Sequence, residues 1–189
     1  MKKLLTFVFT MTMALVLSTE MSAQKPKRAV VTCGPYVQCV SETGFTVIWT
    51  TDVESVAWVE IAPDDGTHFY NKERPRYYDD RGNGVLPIGK IHKIVIDGLE
   101  PGTTYRYRIM YKGVASYNGS GNVQYLKAGG TDVYRGQPFE ITTFKKAYDT
   151  LRFDVFNDIH GKDSLFNTIL DGARTNRDFV FLNGDMTSN

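Results

Sequence analysis

The 189-residue sequence carries 22 Lys and Arg against 21 Asp and Glu, a formal net charge of +1. Hydrophobic residues at 42% and charged residues at 23% exclude the extreme compositional classes and leave room for one full globular domain and part of another. So even a balance supplies no overall field that would draw the chain to nucleic acid or to an anionic membrane, and no nucleic-acid binding is expected.

The first element is a targeting signal. Lys2 and Lys3 precede the apolar stretch Leu4 to Leu17, and small residues lead from Ser18 to Ala23. That stretch has 14 residues, whereas a transmembrane helix needs about 20. Residues 1–23 therefore read as a signal peptide, with cleavage near Ala23 and no membrane span after its removal. The mature protein is expected to be secreted or periplasmic. Losing Lys2, Lys3 and Glu20 leaves 20 basic and 20 acidic residues, a net charge of zero. Gln24 to Arg28 forms a short basic leader.

Export makes a disulfide between Cys33 and Cys39 chemically possible. A straight strand would hold the two sulfurs about 20 Å apart, while a fold-back at Gly34-Pro35 would bring them closer. The pairing stays open at this level. The spacing is not a common zinc pattern.

Residues 29–147 read as an all-β sandwich. FTVIWTT alternates Phe45, Val47 and Trp49 against Thr46, Ile48 and Thr50, and SVAWVEI follows as a separate strand. KIHKIVI is a third, with His92, Ile94 and Ile96 on one face, and His92 is expected to be half-buried with a backbone partner. His68, in GTHFY, is expected to be exposed. TYRYRIMY alternates Tyr105, Tyr107, Ile109 and Tyr111 with Arg106, Arg108 and Met110, and FEITTF closes the series. Asn71 to Ile88 and Tyr117 to Gly136 read as loop insertions. Asn118-Gly119-Ser120 fits a glycosylation acceptor, but Asn-Gly as a turn signal suffices. Leu99-x-Pro101-x-Thr103-x-Tyr105 is similar to the fibronectin type III pattern before its sixth strand. That resemblance implies that the Tyr105 hydroxyl bonds back to upstream backbone and that Trp49 is a core residue.

From residue 150 to residue 189 the pattern changes. LRFDVFND (Leu151 to Asp158) reads as a strand breaking at Asn157-Asp158-Ile159-His160-Gly161. A helix follows, with Leu165, Phe166, Ile169, Leu170 and Ala173 on one face, Asp163 or Ser164 as its cap and Asn176 at its end. Phe179 to Leu182 is an unbroken apolar run, the mark of a strand buried on both faces of a parallel sheet. It ends in Asn183-Gly184-Asp185-Met186. A strand–helix–strand unit makes parallel strands, so both loops leave the same carboxyl edge. Asp158, His160 and Asp185 should meet there, although Asp158 and Asp185 are 27 positions apart. Two carboxylates and an imidazole suit a borderline divalent cation. Gly161 and Gly184 free the backbone to turn beside them, and Asn157, Asn183 and Gly161 would shape the loops.

This D-x-H, helix, strand, G-D order over Arg152 to Met186 resembles the opening half of the calcineurin-like metallophosphoesterases. The resemblance implies a start of an α/β metallophosphoesterase domain, with two divalent metal ions (Fe, Mn or Zn) in the full-length protein and a small phosphoester substrate. Asp158 and His160 would hold the first metal, and Asp185 would bridge to the second. A β-sandwich placed before such a unit resembles the layout of purple acid phosphatases and their bacterial relatives. The purple enzymes lack a His in the D-x-H position and carry a metal-bound Tyr three residues after the bridging Asp. This sequence has His160, and Ser188 in place of that Tyr, so a non-purple relative is expected. The later G-N-H and G-H-x-H motifs of the family do not occur within the 189 residues. The expectation is the front of a longer exported hydrolase, inactive alone, with its leaving-group His beyond residue 189. A second reading makes the sandwich a binding or adhesion module with an inactive α/β tail.

Overall fold

The computed structural model describes residues 28–79, 86–118, 121–172 and 176–187. The signal-peptide and leader readings, apart from Arg28, lie outside them, as do Ala173, Ser188 and parts of both expected insertions. The chain divides into two units, Met1–Phe144 and Lys145–Asn189.

One strand dominates the first unit. β2 (Phe45–Pro63) runs for 19 residues and absorbs what the sequence suggested were two strands. Its early half pairs antiparallel with β1 (Val31–Gln38) and with β4 (Gly89–Ile96). Its late half pairs with β3 (Arg76–Tyr78) and with β5 (Thr104–Tyr117). β5 in turn carries β6 (Val123–Gly130) and β7 (Phe139–Thr142). The pairing of β2 with β4 shifts register between Thr50 and Ser55, so the changeover falls there. The two expected strands fused because no turn residue separates them: Thr51 to Glu54 carries neither Gly nor Pro.

The core shows that the sheet closes on itself in two layers. Phe45, Val47 and Trp49 from early β2 and Ile94 and Ile96 from β4 share one buried cluster with Val59 and Ile61 from late β2 and Tyr107, Ile109 and Tyr111 from β5. Phe45 and Tyr107 meet with ring centroids 5.7 Å apart. Trp49 is 0% exposed, as the sequence predicted. Each fully buried large apolar side chain contributes roughly 1.5–3 kcal/mol by leaving water.

Several expectations needed correction. His92 is 4% exposed, not half-buried, and its Nε2 lies 2.9 Å from the Thr51 hydroxyl. β3 lies inside the first expected insertion and β6 inside the second. Neither is a plain loop, because the alternating side chains find β2 and β5 as partners. Arg106, whose side chain alternates with those of Tyr105 and Tyr107 along β5, is buried. Its guanidinium donates to the Pro63 carbonyl from Nε at 2.9 Å and to the Thr67 carbonyl from Nη1 at 2.6 Å. It thereby satisfies carbonyls at the end of β2 and in the loop that follows. Cys33 and Cys39 are exposed free thiols, and His68 is exposed as expected.

The second unit contains β8 (Phe153–Phe156), α1 (Asp163–Gly172) and β9 (Phe179–Leu182). β8 and β9 pair in parallel, Phe153 with Phe179 through Phe156 with Leu182. β8 is shorter than the predicted strand. Neither Asp163 nor Ser164 caps the helix. Lys162 holds that place, its carbonyl accepting the Phe166 amide at 3.0 Å. β9 is not buried on both faces, since Phe181 is 53% exposed. A run this apolar reads as a central strand, but β8 is its sole strand partner among the described residues. Among the described residues no helix is long and apolar enough to cross a membrane.

Candidate metal centre

The parallel register of β8 and β9 decides where the next residues go. Because Phe156 stands opposite Leu182, both chains leave the sheet at the same level. Four backbone bonds then hold the two loops together. The Asn183 amide donates to the Phe156 carbonyl at 2.8 Å, and the His160 amide to the Asp185 carbonyl at 2.8 Å. The Gly161 amide donates to Met186 at 2.9 Å and the Asp158 amide to Gly184 at 3.4 Å. The side chains add one more link, from Asn183 Nδ2 to Asn157 Oδ1 at 2.9 Å.

Ligand atoms of Asp158, His160 and Asp185 all lie within 4.8 Å of one another. His160 Nε2 stands 3.9 Å from Asp158 Oδ1, too far for a hydrogen bond. With metal–ligand bonds of about 2.0–2.2 Å, such spacings are roughly the span across one coordination sphere. The donor set fits a borderline divalent cation: two hard carboxylates that neutralise its charge and one imidazole. All three side chains are exposed, so solvent and a small anion have access.

The backbone is unusual at these three positions. Asp158, His160 and Asp185 have φ of 55°, 52° and 37°. Among the described residues the only other non-glycine residue with positive φ is Cys39. Left-handed backbone costs energy in any residue with a Cβ, and such residues gather at functional sites where the surroundings enforce them. Here the cross-loop bonds do the enforcing. Gly161 and Gly184, at φ 66° and 70°, take the sharpest turns without that cost.

The sequence did not anticipate a second polar group, in the first unit. Glu60 is 3% exposed within β2. Its carboxylate accepts Trp58 Nε1 at 3.1 Å, Arg76 Nε at 3.2 Å and the Tyr70 hydroxyl. Arg108 Nη1 donates to that same hydroxyl at 2.6 Å. Burial, followed by the bond to Glu60, pushes the Tyr70 phenol up to about 12. Every carboxylate oxygen here is engaged by a donor, so the cluster reads as a packed network rather than a ligand site. No motif announces it; Glu60 stands in SVAWVEI as an ordinary strand residue.

A family model described as the purple acid phosphatase N-terminal domain matches residues 33–125. These residues form a purple acid phosphatase-like N-terminal domain. The matched span begins in β1 and ends in β6, so it covers most of the two-layered unit and none of the Asp158, His160 and Asp185 loops. Among solved structures, a purple acid phosphatase isolated from yellow lupin (Lupinus luteus) seeds matches at 15% identity with a TM-score of 0.47, over 87% of this chain. The chain spans 30% of the length of that enzyme chain. No curated protein sequence matches it. The phosphatase-like domain places the protein beside a hydrolase family.

Proposed function

We propose that this chain supplies the N-terminal domain and the first metal-ligand loops of an exported, metal-dependent phosphoester hydrolase. The observation that carries the proposal is the meeting of Asp158, His160 and Asp185 within 4.8 Å at the carboxyl edge of a parallel strand pair. The phosphatase-like domain immediately before it supports the phosphoester class. The charged start and apolar stretch of residues 1–23 support export.

In this reading Asp158 and His160 hold one cation and Asp185 is shared with a second. A bound Fe, Mn or Zn would supply Lewis-acid charge at a phosphoryl oxygen. The residues of this chain hold the ligands in place. The carboxylates balance the cation charge, and the imidazole tilts the preference from Mg towards Fe, Mn or Zn. The cross-loop bonds fix the strained ligand backbone before anything binds, so the binding step orders only the ligand side chains. The substrate is a small phosphoester that reaches the exposed edge.

Titration of the 189-residue protein with Mn2+ tests the metal site, and Asp185→Ala is the control. Saturable binding that Asp185→Ala abolishes supports it. Binding unchanged in Asp185→Ala overturns the ligand assignment. The phosphoester reading is tested by hydrolysis of a chromogenic phosphomonoester or diester by the product of the complete coding frame. Tight glycan binding by that product, without hydrolysis, would favour the binding-module reading.

A further inference from the structure

The ladder between β8 and β9 continues one step past its last paired residues. Beyond Phe156 and Leu182 come Asn157 and Asn183, side by side at equal register, and Asn183 Nδ2 donates to Asn157 Oδ1 at 2.9 Å. The next residues turn left-handed: Asp158 on one loop, Gly184 and then Asp185 on the other. The amide pair is thus a side-chain tie at the base of the two ligand-bearing loops, which the Asp158, His160 and Gly161 amides then link further by backbone bonds. Asp158 follows Asn157 directly, and one residue, Gly184, lies between Asn183 and Asp185.

We infer that Asn157 and Asn183 form a clasp that, together with the cross-loop backbone bonds, sets the separation of the two metal-ligand loops, making them positioning residues for the cation site. The inference rests on the metal-site reading and deepens it. Its chemistry is suited to the task. The amide groups are neutral, so the tie does not change with pH and does not compete with the carboxylates for the cation. Asparagine is short, so the bond fixes the strand ends within a narrow range. Both side chains are exposed. An exposed neutral hydrogen bond adds little to folding stability, so the effect of losing it should appear in cation affinity. Partners that orient metal ligands from outside the coordination sphere alter affinity by tenfold or more when removed.

The test is a cycle of Asn157→Ala, Asn183→Ala and the double variant in the 189-residue protein. Mn2+ affinity is read by electron paramagnetic resonance of free Mn2+. Metal-free amide NMR shifts of Phe153–Phe156 and Phe179–Leu182 are recorded alongside. Each single variant should weaken Mn2+ binding about tenfold, and the double variant should be no weaker than either single one. The metal-free shifts of both strands should stay at their wild-type positions. Wild-type affinity in both single variants overturns the clasp while leaving the metal site standing. Losses that multiply in the double variant overturn it too, because the two residues would then act separately. Shifts that collapse in the metal-free variants assign the pair to folding of the strands instead. No Mn2+ binding by the unmodified protein overturns the metal-site reading and the clasp with it.

Discussion

The Glu100 amide donates to the Tyr105 hydroxyl at 3.0 Å, tying the turn before β5 back onto the strand it feeds. Only a tyrosine reaches back with an acceptor at this distance while its ring packs against the core cluster. Tyr105→Phe keeps the ring and removes the acceptor. It should lower stability by about 1 kcal/mol, the usual net worth of one such bond. Urea unfolding, with an unchanged denaturant slope, measures it. A midpoint equal to that of the unmodified protein would show that water replaces the bond without cost.

The contact of Thr51 with His92 is the buried counterpart. Both side chains are enclosed, and the hydroxyl sits 2.9 Å from Nε2. Thr51→Val keeps the shape and withdraws the hydroxyl from both the imidazole and the Val53 carbonyl, which should cost about 1–3 kcal/mol. Thr51→Ser keeps the hydroxyl and loses a methyl group, so it should cost less. The reverse order would mean that packing, not the hydrogen bond, dominates at this position.

How much of this was legible in the sequence differs from residue to residue. Trp49 and Tyr105 were readable because a strand alternates and because turn residues lie at fixed offsets from the tyrosine. The meeting of Asp158, His160 and Asp185 was readable because parallel strands joined by a helix must end at one edge. The fusion of two strands into β2 was not, since a bend without Gly or Pro leaves no local mark. The burial of Arg106 was equally hidden: its partners are the carbonyls of Pro63 and Thr67 and the Asp65 carboxylate, 39 to 43 positions away, and no local pattern pairs them. The left-handed backbone at all three candidate ligands was not legible either, because Asp and His, although enriched in that region among non-glycine residues, adopt it in only a small fraction of cases and nothing local marks which.

Alkaline pH should destabilise the first unit. Burial pushes the Tyr107 phenol up to about 12, and burial together with Glu60 does the same for Tyr70. The unfolded chain loses these protons near pH 10. The stability they provide is therefore whole below pH 10 and is lost as pH rises towards 12, because the folded state binds more protons across that window. Melting temperatures recorded from pH 8 to 11.5 should fall above pH 10. Tyr107→Phe should flatten that fall, whatever it does at neutral pH. An unaltered slope in Tyr107→Phe would remove this tyrosine from the explanation.

The second unit should be the less stable one, and a cation should stabilise it selectively. β8 and β9 have four residues each, α1 has no buried residue, and Phe153, Phe181 and Leu182 are exposed. So little covered apolar surface cannot offset much chain entropy. Amide exchange at Phe179–Leu182 should run orders of magnitude faster than at Val47 or Val59 in β2, which are fully buried. A cation bound only by the folded loops adds stability by mass action, about 2.7 kcal/mol at a hundred times its dissociation constant. Saturating Mn2+ should therefore slow exchange in β8 and β9 about a hundredfold while leaving β2 unchanged. Slow exchange at Phe179–Leu182 without any metal would show that the unit is stable by itself. Equal slowing in both units would mean that Mn2+ binds somewhere other than the Asp158, His160 and Asp185 loops.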